Sequence, residues 1–299
     1  MSNTYNSVTT VAAADDELQI MGWLSPLEPQ VRHQDICDQR VDAIGGWLLE
    51  TKEFRNWYEE SSHAALFCYG NPGVGKSYIW YEPPSMRNKK RTLLLLTGRY
   101  GSSVVVDYLC NQAIDQDMAV ACFYYDFASQ EAQSPTNMLG SLLSQLLSGL
   151  EAIPGEIRKG FGGQKKLLGG RRVQFQDIVK IFPAVSSLRR TFICVDALDE
   201  CIPEHQVEVL GALGQILQRS PNTQIFMTGR PHIWGAVERE LGRRAISISI
   251  KPVDDDIVTY LRARLRKDTT PEVMDSVLEK EIMKSIPEEV SETCVVVRV

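Results

Sequence analysis

Five short apolar runs, each closed by turn residues and separated by stretches of helical spacing, restrict how this chain can fold more than anything else in it. The runs are ALFCY (65–69), AVACFYYDF (119–127), TFICVD (191–196), TQIFMT (223–228) and AISISI (245–250). Runs of this length without regular polar alternation suit strands covered on both faces. Between them, TNMLGSLLSQLLSGL (136–150) sets Leu139, Leu142, Leu143, Leu146 and Leu147 on one stripe, and HQVEVLGALGQILQR (205–219) does the same with Val207, Leu210, Leu213, Ile216 and Leu217. Strand and helix in alternation predict an α/β fold of three layers, a parallel five-stranded sheet flanked by helices.

The rest of the composition narrows the class. With 299 residues and 43% apolar side chains, the chain can bury one large core or two modest ones. Its net charge of -6 is scattered, so no nucleic-acid partner is expected. The seven cysteines lack a C-x-x-C spacing, and Cys68, Cys122 and Cys194 lie inside apolar runs, where a thiol acts as a small hydrophobe. That usage fits a reducing, cytoplasmic setting. The start, MSNTYNSVTTVAAADDELQI, has neither a basic leader nor a continuous apolar stretch. The longest unbroken aliphatic run, LLLL at 93–96, is far below the roughly 20 residues of a membrane span. No membrane partner is expected.

Four segments follow. Residues 1–22 read as a flexible lead, 23–62 as a helical preface, 63–252 as the α/β core and 253–299 as a short helical C-terminal segment. In the preface, DICDQRVDAIGGWLLETKEFRNWYEE (35–60) has Trp47, Leu48 and Phe54 as anchors and a break at Gly45-Gly46. GFGGQKKLLGGRR (160–172) reads as a mobile surface loop. DDDIVTYLRARLRKD (254–268) is a helix with acids first and bases last, as the helix dipole favours. CVVVRV at the end has strand-like composition.

GNPGVGKS directly follows the first predicted strand and matches G-x-x-x-x-G-K-[ST]. Gly70, Gly73 and Gly75 allow the backbone to curl so that the N–H groups of Gly70, Asn71, Pro72's neighbours, Val74 and the following residues point inward at phosphate. Lys76 would reach the β- and γ-phosphates, and Ser77 would ligate Mg²⁺. A glycine-rich turn carrying a surface lysine is the plainer reading of such a motif, and its place after a buried strand argues against that. FICVDALDE then delivers Asp196 at a strand end, where a carboxylate can hold a metal directly or through water. Asp199 and Glu200 follow; one of them would orient or deprotonate an attacking water, with Glu200 favoured. Without the phosphate loop the same acids would read as a helix cap. In IFMTGRPH, Arg230 is placed to sense a γ-phosphate, although an arginine after a strand is commonly a solvated charge.

The set WLSPLEP, GGWLLE, GNPGVGKS, CFYYDF, ICVDALDEC and FMTGRPH resembles the NACHT-type P-loop NTPases of the STAND class, in particular the nephrocystin-3-like N-terminal domain of large fungal proteins with ankyrin or other repeats. The resemblance runs from about Trp23 to Glu292. It implies ATP or GTP with Mg²⁺, slow hydrolysis as a timer, and nucleotide-driven self-association that switches on an effector. By motif it implies phosphate binding at Lys76 and Ser77, metal binding at Asp196, catalytic support from Asp199 and Glu200, and γ-phosphate sensing by Arg230. It departs from the pattern at Gly229, where relatives more often carry serine, and in stopping at Val299, where relatives continue into further modules.

A third departure follows the loop. Pro83 and Pro84 limit a helix starting at Ser77 to about one turn, since an interior proline costs about 3 kcal/mol and drives the residue before it extended. A helical stripe resumes only in VVVDYLCNQAI (104–114). Residues 78–102 therefore read as an insertion, either a translated intervening sequence or a lineage-specific surface loop. Two functions result: a nucleotide switch of a signalling or self-recognition protein, or a non-catalytic module with impaired nucleotide binding that associates with full-length relatives.

Overall fold

The computed structural model describes residues 17–27, 45–59, 63–70, 104–166, 172–251, 253–266 and 278–285. Its strands are β1 (Ala65–Tyr69), β2 (Met118–Tyr124), β3 (Arg190–Asp196), β4 (Thr223–Gly229) and β5 (Ala245–Ser249). Helix α1 spans 17–24, followed by α2 (Trp47–Glu50), α3 (Lys52–Glu59) and α4 (Val104–Asp115). The remaining helices are α5 (Pro135–Ser148), α6 (Gly155–Lys166), α7 (Phe175–Ser186), α8 (Pro203–Arg219), α9 (Trp234–Leu241), α10 (Asp254–Arg266) and α11 (278–285).

The five strands form one parallel sheet in the order β2-β3-β4-β1-β5. The period of two along each strand divides the core. Leu66, Cys68, Phe192, Cys194 and Phe226 face α3 and α4, whereas Phe67, Ile193, Val195, Ile225 and Met227 face α5, α7, α8 and α9. That division follows from the order. Only β1 sends the chain toward β2; every later connection runs the opposite way, so right-handed crossovers put α4 on one face and the later helices on the other. The carboxyl end of β1 is thus where the winding reverses, the place in an open α/β sheet where ligands bind.

β2 lies at the sheet edge, and Gln145 of α5 covers part of it: its Oε1 accepts from Cys122 N at 3.0 Å and its Nε2 donates to Cys122 O at 2.8 Å. One buried amide thus replaces a missing strand partner. None of the five described cysteines is in a disulfide, and burial pushes the thiols of Cys68 and Cys194 well above their usual range, which leaves them as packing groups. Among the described residues no helix is long and apolar enough to cross a membrane.

Several expectations are corrected. β2 stops at Tyr124 rather than Phe127, because β3 turns away at Ala197 and only Tyr125 N still finds a carbonyl, that of Asp196, at 3.1 Å. The glycine-rich stretch at 160–172 is not a loop throughout: residues 160–166 complete α6, anchored by buried Ile157 and by Phe161, whose ring meets Trp23 edge-on at 5.7 Å. Residues 17–22, read as part of a flexible lead, belong to α1, whose Ile20 and Leu24 are buried. A side chain on Gly140 of α5 would overlap the carbonyl of Leu24, so that glycine permits the close approach. On α8, Val207 is exposed and Val209 takes its place in the core; at roughly 100° per residue, Val207 lies about 120° from Leu213 and so off the stripe. The expected strand character of 294–299 lies outside the described residues.

Candidate functional site

At the carboxyl ends of β2, β3, β4 and β1 the chain assembles a row of polar groups. Parallel register brings Tyr124 beside Asp196 and Tyr69 beside Gly229, and Gly70 N donates to Gly229 O at 3.3 Å. β4 therefore separates the start of the phosphate loop from the strand of Asp196. Two strand spacings, about 10 Å, lie between them. Such a gap is wide enough for a phosphate group and a metal ion, with the β4 end as its floor.

That floor is Thr228, Gly229 and Arg230. Thr228 is buried, and its hydroxyl donates to Asp196 Oδ1 at 2.6 Å while accepting from Ala197 N at 3.0 Å. One side chain thus fixes both the carboxylate and the turn that follows it. Ala197 has φ 53°, the only positive φ of a non-glycine residue among those described. A left-handed alanine costs about 1–2 kcal/mol. The conformation swings Leu198 into the core and starts the short turn Leu198–Glu200, which leaves Asp199 and Glu200 at the sheet end. Gly229 fits beneath Phe67: a Cβ there would stand 3.1 Å from the ring, whose space is fixed by stacking on Trp234. The departure at this position matches the bulk of Phe67 in β1.

Arg230 Nε lies 2.9 Å from Asp199 Oδ2, with the Asp199 side chain 6% exposed and that of Arg230 48% exposed. The other oxygen, Asp199 Oδ1, is buried and has no hydrogen-bond partner among the described residues. Glu200 is half-buried. Its carboxyl sits above the ordinary range because of burial first, with the charges of Asp199, Asp126 and Asp196 adding to the shift and the Phe127 N–H, 3.0 Å from Oε2, opposing it. Gln130 Nε2 donates to Glu200 O at 2.6 Å, and Gln133 bridges Asp126 N and Tyr124 O at 3.0 Å each. The turn after β2 thereby holds the turn after β3.

Of the residues singled out by sequence, Gly70, Asp196, Asp199, Glu200 and Arg230 come together at one end of the sheet. Asn71, Pro72, Gly73, Val74, Gly75, Lys76 and Ser77, and the stretch 78–102, lie outside the described residues. Sequence reasoning missed Thr228, Gln130 and Gln133. The available signal for Thr228 was a lone hydroxyl closing an apolar strand; the two glutamines carried none. Among the described residues no group of three or more His, Cys, Asp or Glu is placed to hold a metal ion by itself. Asp196, fixed by Thr228, is a single carboxylate of the kind Mg²⁺ takes when phosphate oxygens and water complete its shell.

The family model described as Nephrocystin 3, N-terminal, matches the chain in two segments, residues 43–82 and 80–230. The chain is 24% identical over 178 residues to the vegetative incompatibility protein HET-E-1 of Podospora anserina, a match covering 56% of this chain and 11% of that protein. It thus spans about a tenth of that relative's length. Solved structures with a similar arrangement include the Walker-type ATPase PABY2304 of Pyrococcus abyssi, at TM-score 0.44 and 17% identity over 84% of this chain and 66% of that one. Another is Cdc6p from Pyrobaculum aerophilum, at TM-score 0.40 and 13% identity over 72% of this chain and 46% of that one.

Proposed function

As a member of the nephrocystin 3 N-terminal family, this chain is a P-loop NTPase-like nucleotide-binding domain related to HET-E-1, and we propose that it works as a Mg²⁺-dependent ATP or GTP switch in a signalling or self-recognition protein. The observation that carries this reading is the floor formed by β4, where Thr228 pins Asp196 two strand spacings from the β1 end that opens the phosphate loop. Lys76 and the loop amides would hold the phosphates, Ser77 and Asp196 the metal, and Arg230 the terminal phosphate. Glu200 would receive the proton of an attacking water, a task suited to a carboxyl whose pKa lies above its usual value. Bound Mg²⁺ would supply charge neutralisation on the phosphates. Slow hydrolysis and nucleotide-driven self-association are parts of the same proposal.

Titrating labelled ATP or GTP against the purified chain, with Mg²⁺ and with EDTA, tests it. Saturable binding that needs Mg²⁺ and weakens at least tenfold in Lys76→Ala is the expected result, since the phosphates lose a compensating charge. Light scattering with and without nucleotide would follow self-association. Absence of binding would reject the switch.

A second reading draws on the division of the family match at residues 80–82, just beyond the loop and at the front of the 78–102 stretch. On that reading the stretch damages the site and the chain acts by association with relatives. Deleting residues 78–102 would then tighten ATP binding sharply; an unchanged dissociation constant would reject it.

A further inference from the structure

The two acids after β3 are adjacent in sequence, but their surroundings differ. The Asp199 side chain is almost fully buried, and Arg230 is its ion-pair partner, reached through Nε at 2.9 Å. Its other oxygen faces Gly229, lying 3.6 Å from where a Cβ would stand, and has no hydrogen-bond partner among the described residues. Glu200 has one oxygen on the Phe127 amide and sits half-exposed at the mouth of the site. A buried carboxylate beside a half-exposed arginine is badly placed to take a proton from solvent water and well placed to fix the arginine. Contact through Nε leaves the two Nη groups, the pair that forms a fork on a phosphate, without a partner among the described residues.

We propose that Asp199 is a positioning residue for Arg230, holding its guanidinium for the terminal phosphate of a nucleoside triphosphate, and that Glu200 is the one acid of the two that meets the water. The inference rests on the nucleotide reading above and assigns separate roles within that site. An arginine on a flexible stem loses rotamer freedom when it binds; one already held by a buried charge loses less. Removing the Asp199 charge should therefore weaken ATP while sparing ADP, which has no γ-phosphate to read.

The test compares the ATP and ADP dissociation constants, and the hydrolysis rate, of the full chain and its variants with Mg²⁺ present. Asp199→Asn keeps the shape and removes a buried charge; Asp199→Ser, smaller and also neutral, serves if the first does not fold. Either should lower the preference for ATP over ADP about tenfold, as far as Arg230→Ala does, and the double variant no further. Glu200→Gln should keep the preference and lose hydrolysis. An Asp199→Asn protein with its ATP preference intact would overturn the inference, as would an unaltered chain that binds ATP and ADP equally. A chain that binds neither would overturn the nucleotide reading and this inference with it.

Discussion

The two ends of the sheet use the same residue types for opposite purposes. At the amino end, Arg190 of β3 lies 4.8 Å over the rings of both Tyr58 and Phe192, donates to Gln224 Oε1 at 3.0 and 3.2 Å, and reaches the carbonyl of Tyr58. Gln224 in turn donates to the carbonyl of Trp57. Helix α3 is fastened to β3 and β4 by these contacts. The buried unpaired atoms there, Trp57 Nε1 and Thr223 Oγ1, are neutral. At the carboxyl end, Arg230 is half-exposed, Asp199 has an unpaired buried oxygen, Ala197 is in a left-handed conformation and burial raises the pKa of Glu200. One end leaves only neutral atoms unpaired and holds the fold; the other carries backbone strain and an unpartnered carboxylate oxygen, as binding sites do.

If that contrast is right, substitutions at the amino end should cost stability and those at the carboxyl end should gain it. The largest effect is expected for Arg190→Ala, which strips two ring faces and leaves Gln224 Oε1 and the Tyr58 carbonyl without their donor. A loss of about 3 kcal/mol in urea unfolding is expected. Ala197→Gly should move stability the other way by about 1 kcal/mol, because glycine accepts a positive φ without a Cβ penalty. A destabilised Ala197→Gly protein would break the comparison.

The smallest effect is one of pH. The folded Glu200 carboxyl holds its proton to a higher pH than an unfolded one, so its contribution to stability falls as pH rises from the ordinary carboxylate pKa through the folded value. Glu200→Gln should therefore be more stable than the unaltered chain at pH 7, with the gap closing near about pH 4. Unfolding curves at both pH values would show it, and a gap that widened at low pH would contradict the assigned cause.

Much of this was legible because it is local. An apolar run bounded by turns marks a strand wherever it later sits, and β1 occupies the predicted residues 65–69. The acids after β3 and the arginine after β4 were likewise visible as strand-end residues. Partnership was not legible. Asp199 and Arg230 are 31 positions apart in sequence, as 230 − 199 shows, and neither residue type carries a mark of the other. The burial of α1 was hidden for a similar reason: Ile20 and Leu24 lie in an apolar stretch, but what they pack against depends on the space that Gly140 leaves in α5. The glycines of 160–163 argued for a loop, and the contact of Phe161 with Trp23 outweighed them.

By itself, then, the sequence determined which segments are strands, which helices part them, and which residues stand at strand ends, since each depends on the order of side chains along a few turns of chain. Only the tertiary structure decided that β4 lies between β1 and β3. Strand order depends on which face each crossover helix can cover, a property of the whole sheet, and it is that order that sets the β4 end, Thr228 to Arg230, between Gly70 and Asp196.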